Sequence, residues 1–294
     1  MKIQVISNAI HEIGQRSNQE DSLYPSPDQA PSDDFLFILC DGMGGHAAGE
    51  VASQTVCTAM SRFILSHPKK DGFFGEPDFE NALDEAYSAL DQKDTDDEKK
   101  MGTTLTLAKF HSGGCFVAHI GDSRVYHIRP SSKKVLFVTR DHSLVNDLIE
   151  LGEMTPAEAK TSRQKNVITR AMQPHQGQKV MADCKNLSDL KEGDYIFMCS
   201  DGMLEQMDDQ ELVNILALKR SDAEKIRILK GATKDNRDNH SAYLIRITSV
   251  KPEEDQDIVN QGETKLKSGH FRCFLPAIIL IAILGIIAWM LFRP

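Results

Sequence analysis

The sequence predicts an α+β domain built on antiparallel sheet, with one transmembrane helix behind it. Three observations lead there. From Thr103 to Thr139 the chain reads as strand after strand, joined by short turns such as SGG and RPSSKK. Helical periodicity falls before and after that run rather than between its strands, which favours hairpins over a doubly wound parallel sheet. At the far end, Phe274 to Phe292 is an uncharged apolar run of 19 residues.

The elements follow in order. Short segments rich in β-branched and aromatic residues predict strands at Lys2–Asn8, Phe35–Cys40, Thr103–Phe110, Cys115–Ile120, Val125–Arg129, Val135–Thr139, Asp194–Cys199 and Ala242–Ile247. A 3.6-residue apolar period predicts helices at Ala47–Ser66, Phe79–Asp91, His142–Leu151, Asp208–Leu218 and Asp222–Lys234. Thr155 and Glu158 frame a capping box, with Pro156 at a first helical turn. These elements make one folded unit over residues 1–248. Residues 249–272 are polar and read as a linker, and 273–292 as the membrane helix.

At 1.5 Å per residue the apolar run spans roughly 28 Å, the thickness of a bilayer's hydrocarbon core. Trp289 fits an interfacial anchor. Lys265, Lys267 and Arg272 precede the run and Arg293 alone follows, so the domain is expected on the cytoplasmic side of the membrane, single-pass and tail-anchored. The N-terminus MKIQVISNAI alternates like a strand and suggests no secretory signal.

Of the 294 residues, 40% are apolar, which supports a substantial core. The net charge of −9 argues against nucleic acid as a partner, because phosphate backbones call for a basic face. The six cysteines form no C-x-x-C pair and several lie in apolar runs, as reduced core thiols do. They lack the ligand clustering of a zinc site.

One pattern carries chemistry. In FLFILCDGMGGHAAGE an apolar strand stops at Asp41, followed by Gly42. The arrangement returns in YIFMCSDGM at Asp201 and Gly202. HIGDSR ends a third strand at Asp122, RDNHSAYLI puts Asp238 before the last strand, and RSNQED supplies Glu20 and Asp21 after the first. Carboxylates gathered at one sheet edge repel one another unless cations neutralise them. All-oxygen ligands select magnesium or manganese over zinc. A tight turn with an N-capping aspartate is the plainer reading of any one such motif.

In order, RSNQED, DGMGGHAAGE, MGTTL, HIGDSRVY, TRDHSL, NVITRAM, CSDGM and RDNHSAYLI resemble the metal-dependent serine/threonine phosphatases of the PP2C (PPM) family, in its bacterial form. The resemblance covers residues 5–247. It implies a four-layer αββα sandwich, two antiparallel sheets flanked by helices, with two or three Mn2+ or Mg2+ ions at one edge. It implies that Asp41 bridges two metals, that Gly42 offers its carbonyl to one, and that Asp201 and Asp238 complete the coordination of the other. Glu20 and Asp21 would act through waters, Asp122 would help hold a third ion, and Arg16 would grip the substrate phosphate. The catalytic set is then Arg16, Asp41, Asp201 and Asp238.

The substrates implied are phosphoserine and phosphothreonine in cytoplasmic proteins, with serine/threonine kinases as counterparts and a monomeric catalytic domain. Met43 stands where some relatives carry a histidine assigned as general acid, so leaving-group protonation has no assigned residue. His46 reads as a capping or solvent residue, Cys199 as packing, Thr103 and Thr104 as hydrogen-bonding support, and Arg124 as an electrostatic anchor. Asp235 is an alternative to Asp238. Residues 141–170 correspond to the family's flap, which tunes substrate choice. A catalytically silent, membrane-anchored phosphoprotein-binding module is the alternative function. Dephosphorylation of an anti-sigma-factor antagonist is a third.

Overall fold

Alternation along each strand decides the architecture. The computed structural model describes residues 1–27, 35–44, 48–70, 72–94 and 101–252. The strands are β1 (Lys2–Glu12), β2 (Asp21–Tyr24), β3 (Leu36–Met43), β4 (Gly102–Thr103), β5 (Leu105–His111), β6 (Gly114–Ile120), β7 (Arg124–Arg129), β8 (Lys134–Val138), β9 (Asp183–Leu187), β10 (Tyr195–Cys199) and β11 (His240–Lys251). The helices are α1 (Ala48–Ser66), α2 (Glu76–Asp91), α3 (Leu144–Glu150), α4 (Pro156–Thr161), α5 (Asp209–Leu216) and α6 (Asp222–Thr233). One sheet runs β1-β11-β10-β7-β8; the other runs β2-β3-β5-β6-β9, with β4 paired to β3. Every pairing is antiparallel.

Both faces of the central strands are apolar because each sheet has a partner on each side. In β3, Phe37 and Leu39 meet Ile196, Met198, Tyr243 and Ile245 of the opposite sheet, while Leu36, Ile38 and Cys40 face α1 and α2. β11 repeats this: Tyr243 and Ile245 point between the sheets, Ala242 and Leu244 toward α5 and α6. The period-2 side-chain direction of a strand thus builds three apolar layers from one continuous run. Each fully buried Phe or Leu contributes about 2 kcal/mol. Helices therefore cover the outer face of each sheet, as expected.

Several expectations need correction. β2 and β9 were not anticipated: both are short and polar, and they lie at the two ends of their sheet, where pairing rather than apolar patterning defines them. The predicted strand Thr103–Phe110 is broken into β4 and β5 at Thr104, whose N–H donates to Asp41 O at 2.8 Å. β10 closes at Cys199, where the predicted strand ends, and Asp201 then opens a 3-10 turn, Asp201–Leu204. β11 runs on to Lys251, past residue 248, by pairing with Lys2 and Ile3. Among the described residues no helix is long and apolar enough to cross a membrane. The run Phe274–Phe292 and His46 lie outside the described residues.

Candidate metal and phosphate site

Strand register begins the site. Asp21 opens β2 and pairs directly with Asp41 in β3. Asp201 follows β10, and Asp238 lies two residues before β11, beside β10 in the other sheet. One cavity of about 460 Å3 is lined by Arg16, Glu20, Asp41, Gly42, Asp122, Asp201 and Asp238, with Asn166, Ile168 and Asn239. Asp21 sits behind that wall, buried. The structure thus brings together the residues singled out in the sequence. A second cavity of about 760 Å3 shares Asp122, Asp201 and Asp238 and extends along Val145 and Ile149 of α3 and Pro156 and Lys160 of α4.

The two Asp-Gly pairs have one physical cause. A Cβ on Gly42 would lie 2.1 Å from Gly49 O and 2.7 Å from Glu20 O; a Cβ on Gly202 would lie 2.0 Å from Asn239 O. Backbones that carry other site residues pass where a side chain would be. Glycine is required there for close approach.

The carboxylates burden one another. Burial pushes Asp41 well above the usual carboxylate range, and the charges of Asp21, Asp201, Asp122 and Asp238 push it further. Burial raises Asp21 to about 7, against hydrogen bonds from Ser241 and Ser200. Asp122 is pushed up to about 7 by burial, Asp201 and Asp141. Asp201 rises to about 6 through burial and Asp238. Among the described residues, Asp21 Oδ1 and Asp122 Oδ1 are buried without a hydrogen-bond partner. Orphaned carboxylate oxygens, in a cluster that resists its own charge and offers only oxygen donors, fit hard divalent cations.

Arg16 is the adjoining cation. Its Nη2 donates to Asp238 Oδ2 at 2.7 Å, and its half-exposed side chain lines the cavity. Asp238 raises its pKa. Asp235, the alternative ligand, lines only the larger cavity. Cys199 is packed against α5 and α6 and burial pushes its thiol up, so it is no nucleophile.

Support comes from residues the sequence only partly signalled. Thr103 Oγ1 donates to Asp41 O at 3.0 Å, and Thr104 Oγ1 accepts from Asp41 N at 3.0 Å. Ser200 Oγ donates to Asp21 Oδ2 at 2.9 Å and accepts from Ser241 N at 3.0 Å. Arg124 holds Asp141 with two N–H bonds of 2.6 and 2.7 Å, as an anchor. Ser200, Ser241, Asp141 and Asn239 were not anticipated. Their only signal was their place beside motif aspartates.

His119, His142 and Asp183 form a separate group with ligand atoms within 4.8 Å of one another. His142 and Asp183 engage donors of the protein, whereas His119 bonds Arg140 O through Nε2 and its buried Nδ1 has no hydrogen-bond partner among the described residues. Gly121 N donates to His142 Nδ1, which leaves the proton of the neutral ring on Nε2, facing Asp183 Oδ2 at 3.3 Å. Burial and neighbouring His119 push His142 down to about 4, so the ring is neutral. Arg170 Nη1 lies 3.1 Å from Asp183 Oδ1. The group ties the 142–170 segment to β6 and β9 through a neutral, oriented imidazole.

Comparison with known proteins agrees with this geometry. A family model described as Protein phosphatase 2C matches residues 11–233. The Putative protein phosphatase 2C-type of Streptococcus pyogenes is 34% identical over 216 residues, 73% of this chain and 85% of that protein. The serine/threonine protein phosphatase PstP of Mycobacterium tuberculosis is 34% identical over 203 residues, 69% of this chain but 37% of its own length. The chain thus spans little more than a third of that relative. The structure of the PstP catalytic domain in complex with two manganese ions has a TM-score of 0.68, at 29% identity, covering 84% of this chain and all of that one. Motif order, paired antiparallel sheets and acid-lined cavity together place this chain in the protein phosphatase 2C family.

Proposed function

We propose that the protein hydrolyses phosphoserine and phosphothreonine in cytoplasmic phosphoproteins, in a reaction that depends on Mn2+ or Mg2+. The observation that carries this reading is the convergence of Asp41, Asp122, Asp201 and Asp238 on one cavity beside Arg16. The two manganese ions of the PstP catalytic domain support it. Asp41, Asp201 and Asp238, with the Gly42 carbonyl, would hold two ions; Glu20 and Asp21 would support them through waters, and Asp122 with Asp201 would hold a third. When bound, the ions supply Lewis acidity and a water acidic enough to attack phosphorus at neutral pH.

The remaining work falls to the chain. Arg16 offers a planar fork to two phosphoryl oxygens, and Asp238 fixes that fork from behind. Ser200 keeps Asp21 oriented, and Thr103 and Thr104 fix the backbone at Asp41. Positioning and charge stabilisation are what phosphoryl transfer asks of a protein. Residues 141–170 line the larger cavity and tune which phosphoprotein enters.

The Phe274–Phe292 run tethers this monomeric domain to the cytoplasmic membrane through the 249–272 linker, where it counteracts serine/threonine kinases. The tether raises local concentration near membrane-bound partners. The test is phosphate release from a phosphothreonine peptide by the full chain in Mn2+, with chelator, and in Asp41→Asn. Peptide that binds in Mn2+ but is never hydrolysed favours the silent binding module instead. Fractionation of the full chain against a chain ending at residue 252 tests the tether.

A further inference from the structure

The motif RDN contributes Asp238 to the site, and its asparagine side chain makes three hydrogen bonds to the backbone around Arg16 and Glu20. We propose that Asn239 is the positioning residue that sets Arg16 for the substrate phosphate. This rests on the phosphatase reading above.

The carboxamide of Asn239 is buried, and all its hydrogen bonds go to one segment more than 200 residues away in sequence. Nδ2 donates to Ile13 O at 2.9 Å and to Asn18 O at 3.1 Å. Oδ1 accepts from Glu20 N at 2.7 Å. These three bonds bracket the turn that carries Arg16. Besides the Arg16–Asp238 ion pair, the turn's ties to the 235–238 segment are Gln15 N to Arg237 O at 3.1 Å and Gln15 Nε2 to Asp235 O at 3.2 Å, both from one exposed residue.

The chemistry explains the residue type. Two carbonyls need two donors and one N–H needs an acceptor, all at the reach of a single methylene. Asparagine alone supplies that set. Aspartate would face two carbonyl oxygens with its own oxygen, and a truncated side chain would leave three backbone groups unsatisfied.

Asp238 and Asn239 therefore hold Arg16 at both ends. Asn239 grips the main chain on either side of it, and Asp238 Oδ2 accepts from its Nη2 at 2.7 Å. The Asn239 N–H donates to Asp238 Oδ1 at 2.8 Å, which locks that carboxylate in turn. An arginine must meet a phosphate within a fraction of an ångström, and here both its root and its tip are set by two adjacent residues.

The experiment is a double-mutant cycle in the full chain with Mn2+ and a phosphothreonine peptide. Asn239→Ala is expected to raise KM about tenfold while kcat changes less than about threefold. Asn239→Ala with Arg16→Ala together should lose no more kcat/KM than Arg16→Ala alone, because the asparagine acts through the arginine. Hydrogen exchange should quicken at the amides of residues 15–20 and stay unchanged across β10 and β11. If Asn239→Ala melts below the assay temperature, Asn239→Ser carries the same cycle. Losses that multiply in the double variant, an unchanged KM, or unchanged exchange at 15–20 overturns the proposal. A wild-type chain that releases no phosphate overturns the phosphatase reading, and the exchange measurement still decides whether Asn239 holds the turn.

Discussion

Asp21 and Asp41 face each other across the β2–β3 ladder, two carboxylates paired in adjacent strands of one sheet. Like charges directly opposite destabilise a sheet. A divalent cation held by this cluster would offset that cost. The same juxtaposition makes the site sensitive to mutation, pH and chelation in ways that separate activity from stability.

Asp41→Asn should therefore act in opposite directions. It removes one charge from a buried group of acids, so in chelator the variant melts at a higher temperature than wild type. It also removes a carboxylate that would hold the proposed ions, so kcat/KM in Mn2+ should fall by at least about a thousandfold, roughly 4 kcal/mol. Differential scanning calorimetry and phosphate release read the two effects on one preparation.

The pH dependence in chelator follows from the raised carboxyls. Asp21 and Asp122 at about 7 and Asp201 at about 6 bind protons in the folded state that the unfolded chain has already lost. Their contribution to stability is complete below an ordinary carboxylate pKa of about 4 and is lost as pH rises to about 7. Chelated protein should lose stability between those values, and saturating Mn2+ should flatten the slope. Denaturant midpoints at each pH check it.

Far from the site, Asp194 has the opposite sign. Burial alone would raise it, but hydrogen bonds from His127 and Arg129 outweigh burial and bring it down to about 2. Its contribution is present above about 4 and lost as pH falls through about 2. Asp194→Ala leaves Arg129 and His127 without their shared partner and should cost about 3 kcal/mol, measured by urea unfolding.

Gly202→Ala tests close approach. Its Cβ would lie 2.0 Å from Asn239 O, so β11 or the 201–204 turn must shift. The expected cost is at least about 2 kcal/mol, together with weaker Mn2+ binding, since the shift moves Asp201 and Asp238 apart. Gly177→Ala, where no atom lies within 4 Å of the added Cβ, is the control and should stay within about 0.5 kcal/mol.

Much of this was legible in the sequence, for a physical reason. Strands buried on both faces, such as β3 and β10, announce themselves as apolar runs, and an aspartate ending such a run stands out. β2 and β9 were hidden because their residues DSLY and DCKNL carry no apolar stripe; their partners make them strands. Glu20, Asp21, Asp41, Asp122, Asp201 and Asp238 could be picked out because an acid beside a strand end stands out; Arg16 could be named only through the family resemblance. Asn239, Ser200 and Asp141 could not, since a neutral amide, a hydroxyl or a salt-bridged acid has no meaning until its distant partner is known.

Activity, stability and pH response all turn on whether these separate carboxylates bind divalent ions together. Titration calorimetry of Mn2+ into the full chain at pH 7, repeated in buffers of different ionisation enthalpy, tests it most directly. At least two ions should bind, protons should be released from carboxyls whose pKa lies near 7, and binding should be lost in Asp41→Asn. Binding that releases no protons and survives Asp41→Asn unchanged contradicts such joint binding.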